Sequence, residues 1–232
     1  MRSRIALALA AGLLAATAAS AEPYKGVAFA GGFAGDGLSG YAGVVHALPG
    51  GQLGTGLAVR ASASGGRYDY ESKGVDIDGR FASAEAALVY QLSGPWGWAN
   101  VSAGPRITDV SLSPDDPAND RKGTRLDLAL QSDGAFQLGR SWRLDWIGSL
   151  GVRDGAYYSR ADIGRTLGPG SQTRAGIEAG LQGDPNYRAA SLGLFAATSL
   201  GSGLEGRISA GASDQEGRST RPYATVGLSL LF

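Results

Sequence analysis

Arginines and carboxylates recur at every second position in several short segments of this chain, and they are its main candidates for ligand binding. Arg125 and Asp127, for example, alternate with Leu126 and other apolar residues. A period of two places successive side chains on opposite faces of a β-strand. The charged face contains Arg60, Glu85, Arg106, Arg125, Asp127, Arg143, Asp145, Arg160, Asp162, Arg174, Glu178, Glu205 and Arg207.

This charged face permits two interpretations, both of which stay open at this point. Guanidinium groups bind carboxylates and sugar hydroxyls through paired hydrogen bonds that an ammonium group cannot make. After residue 21 the chain contains 16 arginines and 3 lysines. The face either guides a polar or saccharide ligand through a lumen, or fills the lumen with ion pairs because charges cannot face lipid.

Candidate catalytic and metal-binding residues are few. His46 is the only histidine, and general-base chemistry near neutral pH commonly uses such a group, but His46 lies beside a predicted short turn. The chain has no cysteine, which excludes thiol chemistry. Two carboxylate runs lack the ligand spacing of an EF-hand loop. These runs contain Asp76 and Asp78, and Asp115, Asp116 and Asp120. We therefore predict no catalytic residue, no metal and no cofactor.

The elements that must position the charged face are strands. The same alternation recurs in segment after segment from about residue 24 to the last residue, Phe232, and it indicates about twelve strands. Tight turns rich in Gly and Pro, such as 49–52 and 201–203, join some pairs of strands. Along the chain they alternate with longer charged connections, such as 65–79 and 109–123. Short periplasmic turns that alternate with longer outer loops predict an all-β, antiparallel up-and-down transmembrane β-barrel.

A soluble β-sandwich is the main alternative fold. A sandwich usually packs bulky apolar residues inward beneath a densely charged exterior. Here the polar face mixes arginines and carboxylates with Ser, Gly and Thr, which is typical of a crowded barrel interior. Aromatic rings near predicted strand ends also favour a membrane protein, since such rings lie at headgroup depth. We predict aromatic anchors at Trp96, Trp98, Trp142, Tyr223 and Phe232.

The two ends of the chain predict its destination. Arg2 and Arg4 precede an apolar stretch that ends in Ala19-Ser20-Ala21, so we predict a signal peptide cleaved after Ala21 and a barrel domain over residues 22–232. Without Arg2 and Arg4 the chain has 19 basic and 21 acidic residues, a net charge of −2, which disfavours a nucleic-acid partner.

The last strand has the pattern of a closing barrel strand, with apolar residues at every second position up to Phe232. We expect it to pair with the first strand near residues 25–34, to contact lipid, and to be recognised by the barrel assembly machinery. The expected location is the outer membrane of a Gram-negative bacterium, with both termini on the periplasmic side.

Several motifs resemble those of a known family. They are Gly94-Pro95-Trp96-Gly97-Trp98-Ala99, Ala103-Gly104-Pro105, Ser113-Pro114-Asp115-Asp116-Pro117, Gly168-Pro169-Gly170, Gly176-Ile177-Glu178 and the closing strand from Pro222-Tyr223. Together they are similar to the BcsS family of bacterial cellulose biosynthesis proteins, from about the second strand to Phe232. The resemblance implies an exported outer-membrane component associated with cellulose production, and it assigns no catalytic or ligand residues.

Two functions follow as hypotheses. The first is a non-enzymatic barrel that assists cellulose or exopolysaccharide biosynthesis, secretion or surface assembly, with cellulose or cellulose-secretion proteins as partners. Tyrosines near the outer loops are candidates for contact with the polymer. The alternative is a passive outer-membrane channel for small polar solutes or oligosaccharides, lined by the charged face.

Overall fold

The computed structural model describes residues 24–72, 74–117, 119–185, 187–216 and 219–232. The predicted signal peptide, residues 1–21, and its cleavage point lie outside the described residues. Among the described residues no helix is long and apolar enough to cross a membrane.

Twelve antiparallel strands form one closed barrel, in which each strand pairs with its neighbours in the sequence and the first pairs with the last. The predicted all-β up-and-down barrel is therefore confirmed. The strands are β1 (Gly26–Ala34), β2 (Gly37–Ala47), β3 (Gly56–Ser72), β4 (Val75–Gly94), β5 (Gly97–Ser113), β6 (Gly123–Leu138), β7 (Trp142–Gly151), β8 (Tyr157–Thr166), β9 (Thr173–Asp184), β10 (Tyr187–Gly201), β11 (Leu204–Gln215) and β12 (Arg221–Leu231).

The seam between β1 and β12 closes the ring. Its register pairs Val27 with Leu231 and continues to Ala34 opposite Ala224. The carbonyl of Phe232 accepts hydrogen bonds from the backbone amides of Lys25 at 2.7 Å and Gly26 at 2.9 Å. The expected pairing of the last strand with the first is confirmed, and the terminal residue itself takes part in it.

Side-chain alternation separates an apolar exterior from a polar interior. The exterior carries large, exposed apolar side chains such as Leu126, Leu192 and Leu194, which is the surface that lipid requires. The opposite phase of each strand carries the arginines and carboxylates. Hydrogen bonds between strands that are not neighbours, such as Arg106 on β5 to Ser149 on β7, show that this phase faces the interior.

The outer rim of the barrel is uneven. Strands β3, β4, β5 and β6 have 17, 20, 17 and 16 residues, whereas β7 and β8 have 10 each. The segment 65–79, which we expected to be a loop, continues β3 and β4 as a paired hairpin with register up to Ser72 opposite Val75. Its charged residues, such as Arg67 and Asp69, lie on the outward face of the hairpin above the apolar band. The high charge of the segment therefore indicated exposure to water and not the end of a strand.

At the other end, the connection between β2 and β3 covers part of the lumen. Leu53 packs against a buried apolar cluster of Val45, Ala58 and Val89. The backbone amide of Leu53 donates to the Tyr24 carbonyl at 2.9 Å, and the amide of Gly54 donates to the Gln91 side chain at 3.3 Å. This connection therefore folds inward instead of extending away from the barrel.

Candidate functional site

The barrel interior contains two groups of paired charges, the first of which lies on β3 to β7. Arg60, which is 4% exposed, forms an ion pair with Asp133 and donates to Ser102 at 3.1 Å. Asn100 donates to the other oxygen of Asp133 at 2.9 Å and accepts from Gln91 at 3.3 Å. The Asp133 carboxylate is thus held by a cation and an amide, as a buried charge requires.

Nearer the outer end, Glu85 and Arg106 form a second pair within the same group. Arg106 donates through Nε at 2.9 Å and Nη2 at 2.7 Å to one oxygen of Glu85. Its Nη2 also reaches Ser149 on β7 at 2.7 Å. Glu85 and Arg106 lie directly opposite each other in the register of β4 and β5, so cross-strand geometry places the two charges together.

The second group of charges lies on β7 to β12, with Glu178 and Asp162 side by side at its centre. The two carboxylates are cross-strand neighbours on β9 and β8. Arg207 on β11 bridges them, with an ion pair to Glu178 and a distance of 2.9 Å to Asp162. Arg160 lies 3.4 Å from Asp162 and 3.8 Å from Glu178. Two cations therefore balance two adjacent anions.

Hydroxyl groups complete the surroundings of Glu178. Tyr223 on β12 donates to Oε1 of Glu178 at 2.7 Å, and Ser209 donates to the same oxygen at 3.0 Å. Tyr223 is 5% exposed and its ring stacks on Phe33 inside the barrel at 5.9 Å. The prediction that Tyr223 anchors the barrel at the lipid interface is therefore corrected, because this residue shares the inward phase of Thr225 and Gly227.

A third carboxylate of this group, Asp145, binds two arginines. Arg143 lies 2.6 Å from one of its oxygens and Arg174 lies 2.9 Å from the other. The guanidinium groups of Arg174 and Arg207 also lie over the ring of Phe195, at 5.8 Å and 5.0 Å from its centroid. Cation–π contacts of this kind hold an arginine against one wall.

These contacts follow the wall of the barrel and leave solvent-accessible space beside it. The longest of them join strands three places apart in the ring, as from Arg60 on β3 to Asp133 on β6. Two inward-facing tyrosines, Tyr41 and Tyr158, are 44% and 39% exposed. Since a completely filled interior would bury such rings, the barrel contains some unfilled space beside them.

The loop 114–122 between β5 and β6 bends over the outer mouth. Its Arg121 forms an ion pair with Asp184 at the end of β9 and lies 3.3 Å from Asp154 in the turn after β7. On the opposite side, the Tyr70 hydroxyl donates to Asp116 at 3.0 Å and accepts from Asn119 at 2.9 Å. Desolvation by partial burial raises the pKa of this phenol. The loop is thus tied to β3, to β9 and to the turn between β7 and β8.

A cavity of about 550 Å³ opens beneath this loop. Arg121, Arg125 and Asp127 are among its lining residues. Asp127 accepts hydrogen bonds from the backbone amides of Leu128, Arg153 and Asp154 at 2.7, 2.8 and 3.3 Å, and so fixes the short turn between β7 and β8.

The structure places all the arginines and carboxylates of the predicted charged face on inward phases of their strands. Arg125, Asp127 and Glu205 differ from the others, because none of them forms an ion pair with a described residue, and Asp127 accepts from backbone amides instead. Sequence reasoning missed Asp133 and Arg121. Asp133 lies on the same inward face of β6 as Asp127, so the alternation could have identified it. Arg121 lies in a loop, where no periodic pattern could have identified it.

The predicted aromatic anchors divide into two sets. Trp96, which stacks on Phe136 at 6.1 Å, Trp142 and Phe232 lie exposed at the end of the barrel where the described chain begins and ends. Trp98 shares the inward phase of Asn100 and Ser102 and is partly buried. Trp98 is therefore not on the lipid surface, and its position in the alternation explains why.

His46 and the first acidic run lie away from the charged interior, whereas the second acidic run lies at its outer mouth. His46 faces outward beside the ring of Phe232, with centroids 6.1 Å apart. Asp76 and Asp78 are exposed on the outer extension of β4. Asp115 pairs with Lys122 at 2.6 Å and Asp116 accepts from Tyr70. Asp120 lines the cavity at the outer mouth.

An apolar exterior, a closed ring of strands and a charged, solvent-accessible interior define a transmembrane β-barrel of the outer-membrane type. Residues 27–232 match the family model described as Cellulose biosynthesis protein BcsS, which covers nearly the whole barrel. The chain belongs to this family, as its motifs led us to expect.

Solved structures share the fold at low sequence identity. An outer-membrane channel from Pseudomonas putida F1 is 14% identical, with a TM-score of 0.56 over 92% of this chain and 97% of that chain. The β-domain of the Bordetella autotransporter BrkA is 12% identical, with a TM-score of 0.50 over 91% and 100%. The KdgM porin is 10% identical, with a TM-score of 0.49 over 89% and 99%. No curated protein matches the chain.

Proposed function

We propose that this protein is a non-enzymatic outer-membrane β-barrel that assists the secretion or surface assembly of cellulose. The observation that carries the proposal is the match of residues 27–232 to the cellulose biosynthesis family, because the matched region is the barrel itself and not an attached domain. The barrel would act beside the synthesis machinery, as a path or an attachment point for the polymer.

The arrangement of titratable groups supports a role without catalysis. His46 points outward beside Phe232, away from the lumen in which a polymer would lie. The inward carboxylates Glu85, Asp145, Asp162 and Glu178 each pair with arginine. Each of these carboxylates is engaged in an ion pair with the wall of the barrel, whereas hydrolysis of glycosidic bonds needs a carboxyl group placed to donate a proton to the glycosidic oxygen.

The proposal includes the expected export route and partners. A signal peptide removed after Ala21 would deliver the chain to the periplasm, and the barrel assembly machinery would insert it through its last strand. Lipid then surrounds the apolar exterior. The outward aromatic rings of Trp96, Trp142 and Phe232 would lie at the periplasmic interface, where amphipathic rings are favoured.

Deleting the gene and measuring cellulose on the cell surface tests this proposal. We expect less surface cellulose or an altered texture, with restoration by the wild-type gene. Complementation with His46→Ala should also restore the polymer, since His46 has no part in a non-enzymatic role. Unchanged amount and texture after deletion would contradict the proposal, and loss of restoration by His46→Ala would contradict its non-enzymatic part.

A passive channel for small polar solutes is a second candidate function. It is favoured by the exposure of Tyr41 and Tyr158 inside the barrel, which requires space open to solvent. Single-channel recordings in planar bilayers test it, and we expect discrete, ohmic conductance steps. Correctly folded barrel that gives no conductance would rule this function out.

A further inference from the structure

The cavity at the outer mouth has walls of fixed geometry. Arg121 ties the loop above it to Asp154 and Asp184, and Asp127 fixes the turn beside it through three backbone amides. The volume of about 550 Å³ lies within the range of about 300–1,000 Å³ that is typical of small-molecule sites. The cavity is therefore large enough for a ligand, and the contacts of Arg121 and Asp127 hold its walls in place.

The lining charges balance. Three arginines, Arg121, Arg125 and Arg153, face three aspartates, Asp120, Asp127 and Asp154. A site for a polyanion such as a phosphate or uronate chain needs a surplus of cationic groups, and a site for a metal ion needs a surplus of carboxylate ligands. A balanced set favours an uncharged ligand.

Some of the charged lining side chains are free to bind a ligand, while others are already engaged in hydrogen bonds or ion pairs within the protein. Asp127 accepts from backbone amides, and Asp154 pairs with Arg121 and accepts from the amide of Ala156 at 2.9 Å. Arg125 has a single long contact, 3.4 Å to the main-chain carbonyl of Asp120. Within the described residues, neither the guanidinium of Arg153 nor the carboxylate of Asp120 has a protein partner. The cavity thus offers free donors and a free acceptor together.

A ligand that carries hydroxyl groups can use both the free donors and the free acceptor of the cavity. A sugar hydroxyl donates one hydrogen bond and accepts another, so it can bridge a guanidinium and a carboxylate. The forked donors of arginine also match two neighbouring hydroxyls of one sugar ring. Pro185 adds apolar surface to the lining, which suits the face of a pyranose ring.

We propose that this cavity binds a short stretch of an uncharged oligosaccharide, held by Arg125, Arg153 and Asp120. The identification of that oligosaccharide as a β-linked glucan rests on the proposed function, while the preference for a neutral sugar rests on the cavity alone. The site lies at the outer mouth, where an emerging polymer would be held at the cell surface.

Calorimetric titration of the full-length barrel, folded in detergent, tests the inference. Cellotetraose and tetragalacturonate serve as the neutral and anionic probes. We expect saturable binding of cellotetraose only. Arg125→Gln and Arg153→Gln should each weaken this binding about tenfold, because each removes a hydrogen bond from a charged donor. Arg153→Gln changes an exposed turn residue, so it keeps the test valid if Arg125→Gln fails to fold.

Arg67→Gln is the matched control, since Arg67 lies on the outward face of β3, on the side away from the lumen. It should leave affinity for cellotetraose unchanged. Stronger binding of tetragalacturonate, no binding of either sugar, or equal loss in all three variants would overturn the inference. Cellotetraose binding without any cellulose phenotype on gene deletion would instead contradict the proposed function and leave the site assignment standing.

Discussion

Glu178 is a residue on which four interior side chains converge. Its carboxylate pairs with Arg207 and accepts from Tyr223 at 2.7 Å and Ser209 at 3.0 Å. Removing one partner of a buried ion pair costs about 3–5 kcal/mol, because the other charge is left uncompensated. Loss of one hydrogen bond to a charged group costs about 1.5–3 kcal/mol. The two kinds of loss can be separated at this position.

We therefore expect a graded series of stabilities. Glu178→Ala should lower the free energy of unfolding by about 3–5 kcal/mol, and Tyr223→Phe by about 1.5–3 kcal/mol. Urea titration of the barrel in lipid vesicles, followed by gel mobility without heating, measures both. Glu205→Gln is the control, since Glu205 is inward but forms no ion pair with a described residue. Equal effects of Glu178→Ala and Glu205→Gln would show that the contacts around Glu178 do not stabilise the barrel.

At the scale of elements, the seam between β1 and β12 depends on the terminal residue. The Phe232 ring covers Gly26, where an added Cβ would lie 2.6 Å from the ring and 2.9 Å from the carbonyl of Val45. We expect deletion of Phe232 to impair assembly, because both the ring and its backbone hydrogen bonds to Lys25 and Gly26 are lost. The fraction of heat-modifiable barrel in membranes measures this.

Gly26→Val tests the packing of Gly26 against the Phe232 ring and the Val45 carbonyl, and it keeps the backbone of Phe232. We expect a smaller yield of folded barrel than for wild type, because overpacking costs about 1–3 kcal/mol. Gly32→Ala in the same strand is the control, as its Cβ would meet its nearest neighbour, the Ser39 carbonyl, at 3.4 Å. A normal yield from the chain without Phe232 would refute the role of the terminal residue.

The loop 114–122 is the second element with a testable anchor. Arg121→Ala removes its ties to Asp154 and Asp184, whereas the neighbouring Lys122→Ala removes an exposed pair with Asp115. A loss of 1–2 kcal/mol would raise the open population roughly 5- to 30-fold. We expect faster cleavage of the loop by proteinase K in Arg121→Ala and little change in Lys122→Ala. Similar rates in the two variants would contradict the anchoring role of Arg121.

At the scale of the whole molecule, the apolar exterior determines where the barrel is stable. Leu194 is 68% exposed on β10, although it is a large apolar side chain. Leu194→Arg should destabilise the barrel in a bilayer by about 2–4 kcal/mol, the cost of a lipid-facing arginine near the midplane. Folding titrations in vesicles measure this loss, with Leu194→Val as the control. An unchanged free energy of folding for Leu194→Arg would show that lipid does not contact this face.

Strand alternation predicted most of the fold and much of the interior. Arg60, Glu85 and Glu178 were identified as one polar face because a period of two is fixed by the backbone. Tyr223 and Trp98 were wrongly predicted to face lipid, because their aromatic side chains were given more weight than their positions in the alternation. Both lie on the same face of their strand as polar neighbours. The partner of each charge was not predictable, because Arg60 and Asp133 meet only through the curvature of the ring. The ion pairs of Arg121 depend on how the loop folds, which no periodic pattern in the sequence indicates.

The pairing of β1 with β12 also sets an order of events in time. β1 is the first strand of the barrel to leave the ribosome, whereas its partner β12 is the twelfth. Until β12 pairs with β1, both edges of the sheet expose unpaired amides and carbonyls, the condition that promotes edge-to-edge aggregation. Closure of the ring therefore has to wait for β12, and we expect the incomplete sheet to need shielding from other chains until then.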